Sequence, residues 1–164
     1  MAKQVISTLP GKDIEFIWGG EGELLEECKQ NVNTLNMNKK IKFIGFTNET
    51  SQLYTSASLY FQPSLIESHG IAVVEAMSYS LPCVVANIGG LTESVENGVN
   101  GYLLPPNNIT EMSNAIITII NNEKIRKEMG EQSLQFYNEK FSFDIWKQRM
   151  NKLHENIFLN KNKI

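Results

Sequence analysis

Short apolar runs alternate along the chain with stretches whose apolar residues recur every three or four positions. The runs are "IEFIW" (14–18), "KIKFIGF" (40–46), "SLYFQPS" (58–64), "PCVVA" (82–86) and "YLLPP" (102–106). Brief and rich in β-branched and aromatic residues, they read as strands. Between the first two, "EGELLEECKQNVNTL" sets Leu24, Leu25, Cys28, Val32 and Leu35 at helical spacing. "NETSQLYTSA" places Leu53, Tyr54 and Ala57 on one face, with Asn48 as N-cap. Further helices are expected at about 70–79, over "LTESVEN", and at about 109–121, 123–137 and 142–160, the last capped near Ser142 or Asp144. Strand and helix in alternation is the pattern of an α/β fold, a Rossmann-like parallel sheet flanked by helices.

No repeat, low-complexity tract or linker interrupts this alternation, so residues 1–164 read as a single domain. The opening "MAKQVISTLPGK" looks like the end of a helix feeding "IEFIW", which is not where a doubly wound sheet begins. The expectation is therefore a fragment whose first strand is missing. In the last helix Trp146, Met150, Leu153 and Ile157 form an apolar stripe, which packs either on its own domain or on another one.

Composition narrows the function classes. The net charge of -3 and the lack of a basic, aromatic-interleaved stripe argue against nucleic acid as a partner. Cys28 and Cys83 belong to no CxxC or Cys/His set, so neither a disulfide nor a zinc site is expected, and a cytoplasmic setting is the default. No apolar run approaches the roughly 20 residues that span a bilayer.

In α/β sheets ligands bind outside the carboxyl ends of the strands. Four loops belong there: "GGEG", "GFTN", "SLIESHG" and "NIGG". Gly70 opens the helix after the third of them, where the free amides of Ile71 and Ala72 would suit a phosphate; the plain alternative is that Gly70 only makes a turn. Glu75 lies one turn further in, on an arc shared with Ile71, Ser78 and Tyr79 of a very apolar helix. It either accepts hydrogen bonds from sugar hydroxyls or faces solvent at an edge. Glu67, just before the helix, either complements the helix dipole or bonds hydroxyls beyond the phosphates.

Glu67 and Glu75, enclosing "SHGIAVV", resemble the E-x7-E signature of family 4 (group 1) retaining glycosyltransferases with the GT-B fold. The likeness continues through "EAMSYSLPCVVANIGGLTESVENGVNGYLLPPNN" and, upstream, through "FIWGGEGELLEE" and "IKFIGFT". It covers about residues 12 to 150 and implies one half of a GT-B fold, the C-terminal nucleotide-sugar-binding domain. By that resemblance Glu67 bonds the donor sugar, and Gly70, Ile71 and Ala72 offer amides to the diphosphate or the sugar. Glu75 holds the ribose, Gly19 and Gly20 admit the nucleotide, and Gly45 and Phe46 border the base. Gly89, Gly90 and Glu93 match a further loop near the cleft.

The resemblance also implies transfer of a hexose from a UDP- or GDP-sugar to a glycan or lipid acceptor, with no cofactor or metal required. The acceptor would be held by a separate N-terminal domain, with peripheral membrane contact of the whole enzyme. Two positions depart from the pattern. His69 stands where an aromatic residue is usual, either as one flat ring for another or as a donor to a phosphate or sugar oxygen. Ser80 replaces a glycine. The basic Gly-Arg and Lys-Gly segment that clamps the diphosphate has no counterpart in the chain, so independent catalysis is not expected. Two rival readings are a nucleotide-sugar epimerase of the same fold and a non-enzymatic flavodoxin-like module.

Overall fold

The computed structural model describes the backbone of residues 1–161 and the side chains of residues 1–158. The elements run α1 (Ala2–Thr8), β1 (Phe16–Gly19), α2 (Leu25–Thr34), β2 (Ile41–Gly45), α3 (Thr50–Ser56), β3 (Tyr60–Gln62) and α4 (Ile71–Ser78). There follow β4 (Cys83–Ala86), α5 (Leu91–Ser94), β5 (Gly101–Leu104), α6 (Ile109–Asn121), α7 (Glu123–Phe136) and α8 (Phe143–Lys161). A π-helical turn at Tyr137–Phe141, not expected from periodicity, joins the last two helices. Asn108 and Asn122 cap α6 and α7 through their side chains, which fixes those boundaries. One expected cap is different: Glu49, not Asn48, occupies the N-cap of α3, with its amide donating to Thr47 Oγ1 at 3.0 Å.

All strand pairs are parallel. β4 is buried at every residue, and the two-residue period sends its side chains to both faces. Val84 joins Val5, Leu9, Ile116 and Ile119 under α1 and α6. Cys83 and Val85 join Val73, Met77 and Leu91 on the other side. Burial pushes the Cys83 thiol up to about 12, so it behaves as a small hydrophobe. Cys28 is exposed and also free.

The sheet is divided. β1 pairs only with β2, and β3–β4–β5 form a second sheet. Neither β1 nor β3 has a hydrogen-bonded neighbour on the side between them. There a groove of about 900 Å³ is lined by every residue of both strands. The rings of Trp18 and Phe61 meet edge to face at 6.3 Å between centroids. The α8 stripe is left largely open: Trp146, Leu153 and Ile157 are about half exposed. Ser80 adopts a φ of 58°, the left-handed region in which a glycine carries no Cβ strain.

Candidate functional site

The carboxyl ends of β1, β2 and β3 and the N-terminus of α4 lie at one end of the groove. Gly70 is the N-cap of α4 in left-handed geometry, φ 79°. A Cβ there would lie 2.6 Å from Leu91 Cδ2, so both conformation and packing demand glycine. Among the described residues the amides of Ile71 and Ala72 have no acceptor within the protein, and no acidic residue stands in the first turn. They are two of the unpaired donors a helix start presents, with the positive end of the dipole behind them.

Glu67 folds back over this start. Its Oε1 accepts from the Ser68 amide at 3.0 Å and the Gly70 amide at 3.1 Å, while Oε2 accepts from Gln62 Nε2 at 2.6 Å. The loop is braced from behind by "NIGG". The Gly90 amide donates to Ser68 O at 3.0 Å. A Cβ on Gly89 would sit 1.8 Å from Glu67 O, and one on Gly90 would sit 2.6 Å from the His69 Cα. The two glycines are what let the backbones touch.

Glu75 is exposed and lines the groove beside Ala72, Gly19, Gly20 and Phe46. The Tyr54 hydroxyl donates to its Oε2 at 3.0 Å and lies 3.3 Å from Ala72 O. Burial, and then the hydrogen bond to Glu75, push the Tyr54 phenol well above its usual value, so it stays a neutral donor. The carboxylate is therefore oriented by a phenol with one oxygen left open. This is a different outcome from either a bare solvated edge or a fully buried charge.

Gly19, Gly20, Phe46, Ala72 and Glu75 thus share one cavity. Gly45 stands behind them, its carbonyl accepting from the Gly20 amide at 2.8 Å. Glu67, His69 and Gly70 in the adjoining loop, and Ile71 at the start of α4, lie beside the groove rather than in its wall. The exposed His69 ring packs edge-on to Phe141 of the π turn, centroids 6.4 Å apart. Glu93 is exposed on α5. Tyr54 and Gln62 were not singled out as site residues from the sequence. The available signal for Gln62 was an amide closing an otherwise apolar strand. Tyr54 carried none, since its helical face already explained it. Among the described residues no group of three His, Cys, Asp or Glu is placed to hold a metal, and no helix is long and apolar enough to cross a membrane. The cations along the groove, Lys12 and Arg126, lie toward its opposite end, where Lys12 Nζ donates to Ile120 O.

Comparison with known proteins places the chain in a family. Residues 2–136 match the family model described as glycosyl transferases group 1. An Escherichia coli UDP-Gal:alpha-D-GlcNAc-diphosphoundecaprenol alpha-1,3-galactosyltransferase is 33% identical over 72% of this chain and 31% of its own length. An uncharacterized glycosyltransferase of Methanocaldococcus jannaschii is 32% identical over 89% of this chain and 42% of its own. Among solved structures, a S. aureus TarM mutant in complex with fondaparinux, alpha-GlcNAc-glycerol and UDP superposes with TM-score 0.83 at 25% identity, over 92% of this chain and 30% of TarM. Anabaena HepE in complex with UDP gives TM-score 0.82 at 27% identity, over 94% of this chain and 44% of HepE. The chain spans between about a quarter and two-fifths of the curated relatives it matches. With most of its length matched and its α/β fold that of solved glycosyltransferases, the chain belongs to the group 1 glycosyl transferases.

Proposed function

We infer that this domain is the donor-binding half of a retaining glycosyltransferase, taking a UDP- or GDP-hexose and delivering the sugar to a glycan or lipid. The reading is carried by one observation: two unengaged amides at the start of α4 stand between Glu67 and Glu75. In this reading the diphosphate sits on the Ile71 and Ala72 amides, Glu75 takes the ribose hydroxyls, and Glu67 faces the sugar. Gly19 and Gly20 admit the nucleotide, and Gly45 and Phe46 border the base. His69 donates a ring N–H to a phosphate or sugar oxygen. The enzyme works in the cytoplasm, at the membrane when the acceptor is a lipid.

The chemistry that follows is departure of the nucleoside diphosphate with the acceptor entering on the same face of the sugar. The leaving phosphate assists removal of the acceptor proton. The protein's part is to stabilise charge developing on the diphosphate. The helix start supplies some of that. Clamping cations and the acceptor site come from outside residues 1–164, so the chain alone binds nucleotide weakly and transfers no sugar. Turnover by this chain with a UDP-sugar and an acceptor would overturn that dependence.

Calorimetric titration with UDP and with GDP tests the site. Glu75 is exposed and bonded only through Tyr54, so Glu75→Ala is expected to fold normally. Losing hydrogen bonds to a charged acceptor should weaken nucleotide binding roughly 10- to 100-fold. A folded variant with unchanged affinity would remove the ribose role.

A further inference from the structure

β3 ends in an amide. Its residues are Tyr60, Phe61 and Gln62, and strand alternation sends the first and last to the same side. The Tyr60 hydroxyl donates to Gln62 Oε1 at 2.9 Å. That bond fixes which way the amide faces. With its oxygen engaged, Nε2 donates to Ser64 Oγ at 3.1 Å and to Glu67 Oε2 at 2.6 Å. Glu67 then reaches the Gly70 amide with its other oxygen. A continuous chain of hydrogen bonds, Tyr60 to Gln62 to Glu67 to Gly70, runs from the end of the strand to the start of α4.

Every partner of Glu67 in this chain is neutral, and among the described residues no cation pairs with it. Its orientation therefore rests on hydrogen-bond geometry alone, and the shortest of those bonds comes from Gln62. Bonds to an ionised acceptor are the strong ones. Burial pushes the Tyr60 phenol above its usual value, which keeps its proton available to the relay.

We propose that Gln62 is a positioning residue: held by Tyr60, it aims the Glu67 carboxylate and so sets the loop that presents both Glu67 and the α4 amides to the donor sugar. The sugar part rests on the function proposed above. The positioning part does not need a ligand. An apolar side chain of similar length would leave Oε2 unheld, freeing the carboxylate to swing and the Ser68–Gly70 turn to open.

The test uses the whole chain without ligand first. In Gln62→Met, amide exchange at Ser68 and Gly70 should accelerate about tenfold or more, and the Glu67 carboxyl carbon resonance should move. Gln62→Glu gives a sharper signature and a second route should the first variant fold poorly. The introduced carboxylate faces Glu67 at hydrogen-bond distance. At high pH the two repel and the loop opens; at low pH one retained proton bridges them and replaces the amide hydrogen. Protection at Ser68 and Gly70 should therefore fall as pH rises in this variant. Tyr54, Cys83 and Glu75 beside Tyr60, and His69 on the loop, are the other titratable neighbours. The same pH series on the unsubstituted chain accounts for them.

With ligand, Gln62→Met should lose about tenfold or more in affinity for UDP-sugar and less for UDP, which meets the α4 amides through its diphosphate but lacks the sugar that faces Glu67. Unchanged exchange and an unmoved Glu67 resonance in Gln62→Met would overturn the proposal, as would pH-independent protection in Gln62→Glu. If the ligand-free signatures appear but UDP-sugar binds the unsubstituted chain no better than UDP, the positioning role stands. It is then the donor-sugar reading of Glu67 that fails.

Discussion

Gly89→Ala is expected to cost about 3 kcal/mol of stability and to abolish donor binding with it. Two costs combine. Gly89 sits at φ 46°, where an L side chain is strained by roughly 1–2 kcal/mol. The added carbon would also fall 1.8 Å from Glu67 O, against backbone that cannot rotate away. Relief requires the "SHG" turn to retreat, carrying Glu67 and the Gly70 cap from their places. Gly98→Ala separates the two costs, because Gly98 has φ 81° but nothing within 4 Å of its Cβ position. That control should lose only the conformational part and keep nucleotide affinity. Urea midpoints and UDP titrations on both variants decide the matter. If Gly89→Ala costs no more than Gly98→Ala, the brace between the two loops is unimportant.

Asn100→Ala should be nearly as damaging, by about 2–4 kcal/mol, at a position remote from any ligand. Asn100 is fully buried between β4, β5 and the turn before β5. Its Oδ1 accepts from the Glu96 amide at 2.8 Å and its Nδ2 donates to Ser94 O at 3.0 Å. Truncation leaves a donor and an acceptor without partners and a void between them. Asn100→Asp keeps the shape but places a carboxyl in the dry interior, which raises its folded pKa above the ordinary value near about 4. The folded state then binds the extra proton, so stability is retained below about pH 4 and declines as pH rises toward the raised pKa. Denaturant unfolding across that window should show a deficit that grows with pH. A pH-independent deficit would mean that the carboxyl reaches water.

Much of this could be read in advance. The helices expected at about 109–121 and 123–137 are found at 109–121 and 123–136, with the asparagine caps supplied by the structure. The cost of a carboxylate on an apolar helix singled out Glu75 but left it balanced between ligand and solvent, and only the resemblance of "ESHGIAVVE" to a family signature joined it to Glu67. Two classes of feature were not legible. The partners of those carboxylates, Tyr54 on α3 and Gln62 on β3, carry no signal in the local pattern that points them at Glu75 and Glu67. The split between β1 and β3 was also hidden in its form. Both strands have ordinary strand composition, and nothing in "IEFIW" or "SLYFQ" says which neighbour each one lacks. The open α8 stripe is similar: periodicity marked Trp146 and Leu153 as apolar-facing but not what they face.

The divided sheet has a thermodynamic consequence for ligand capture. The α2 helix buries no residue and β1 and β2 none fully, whereas β4 is buried throughout. This difference in burial predicts two cooperative units of unequal strength, with the β1–α2–β2 unit the first to open in hydrogen exchange. The glycines expected to receive the base belong to the weaker unit, and the amides and carboxylates expected to receive diphosphate, ribose and sugar belong to the stronger. A nucleotide spanning the groove would fasten one to the other. Part of its intrinsic affinity would appear as raised melting temperature of the weaker unit rather than as a lower dissociation constant.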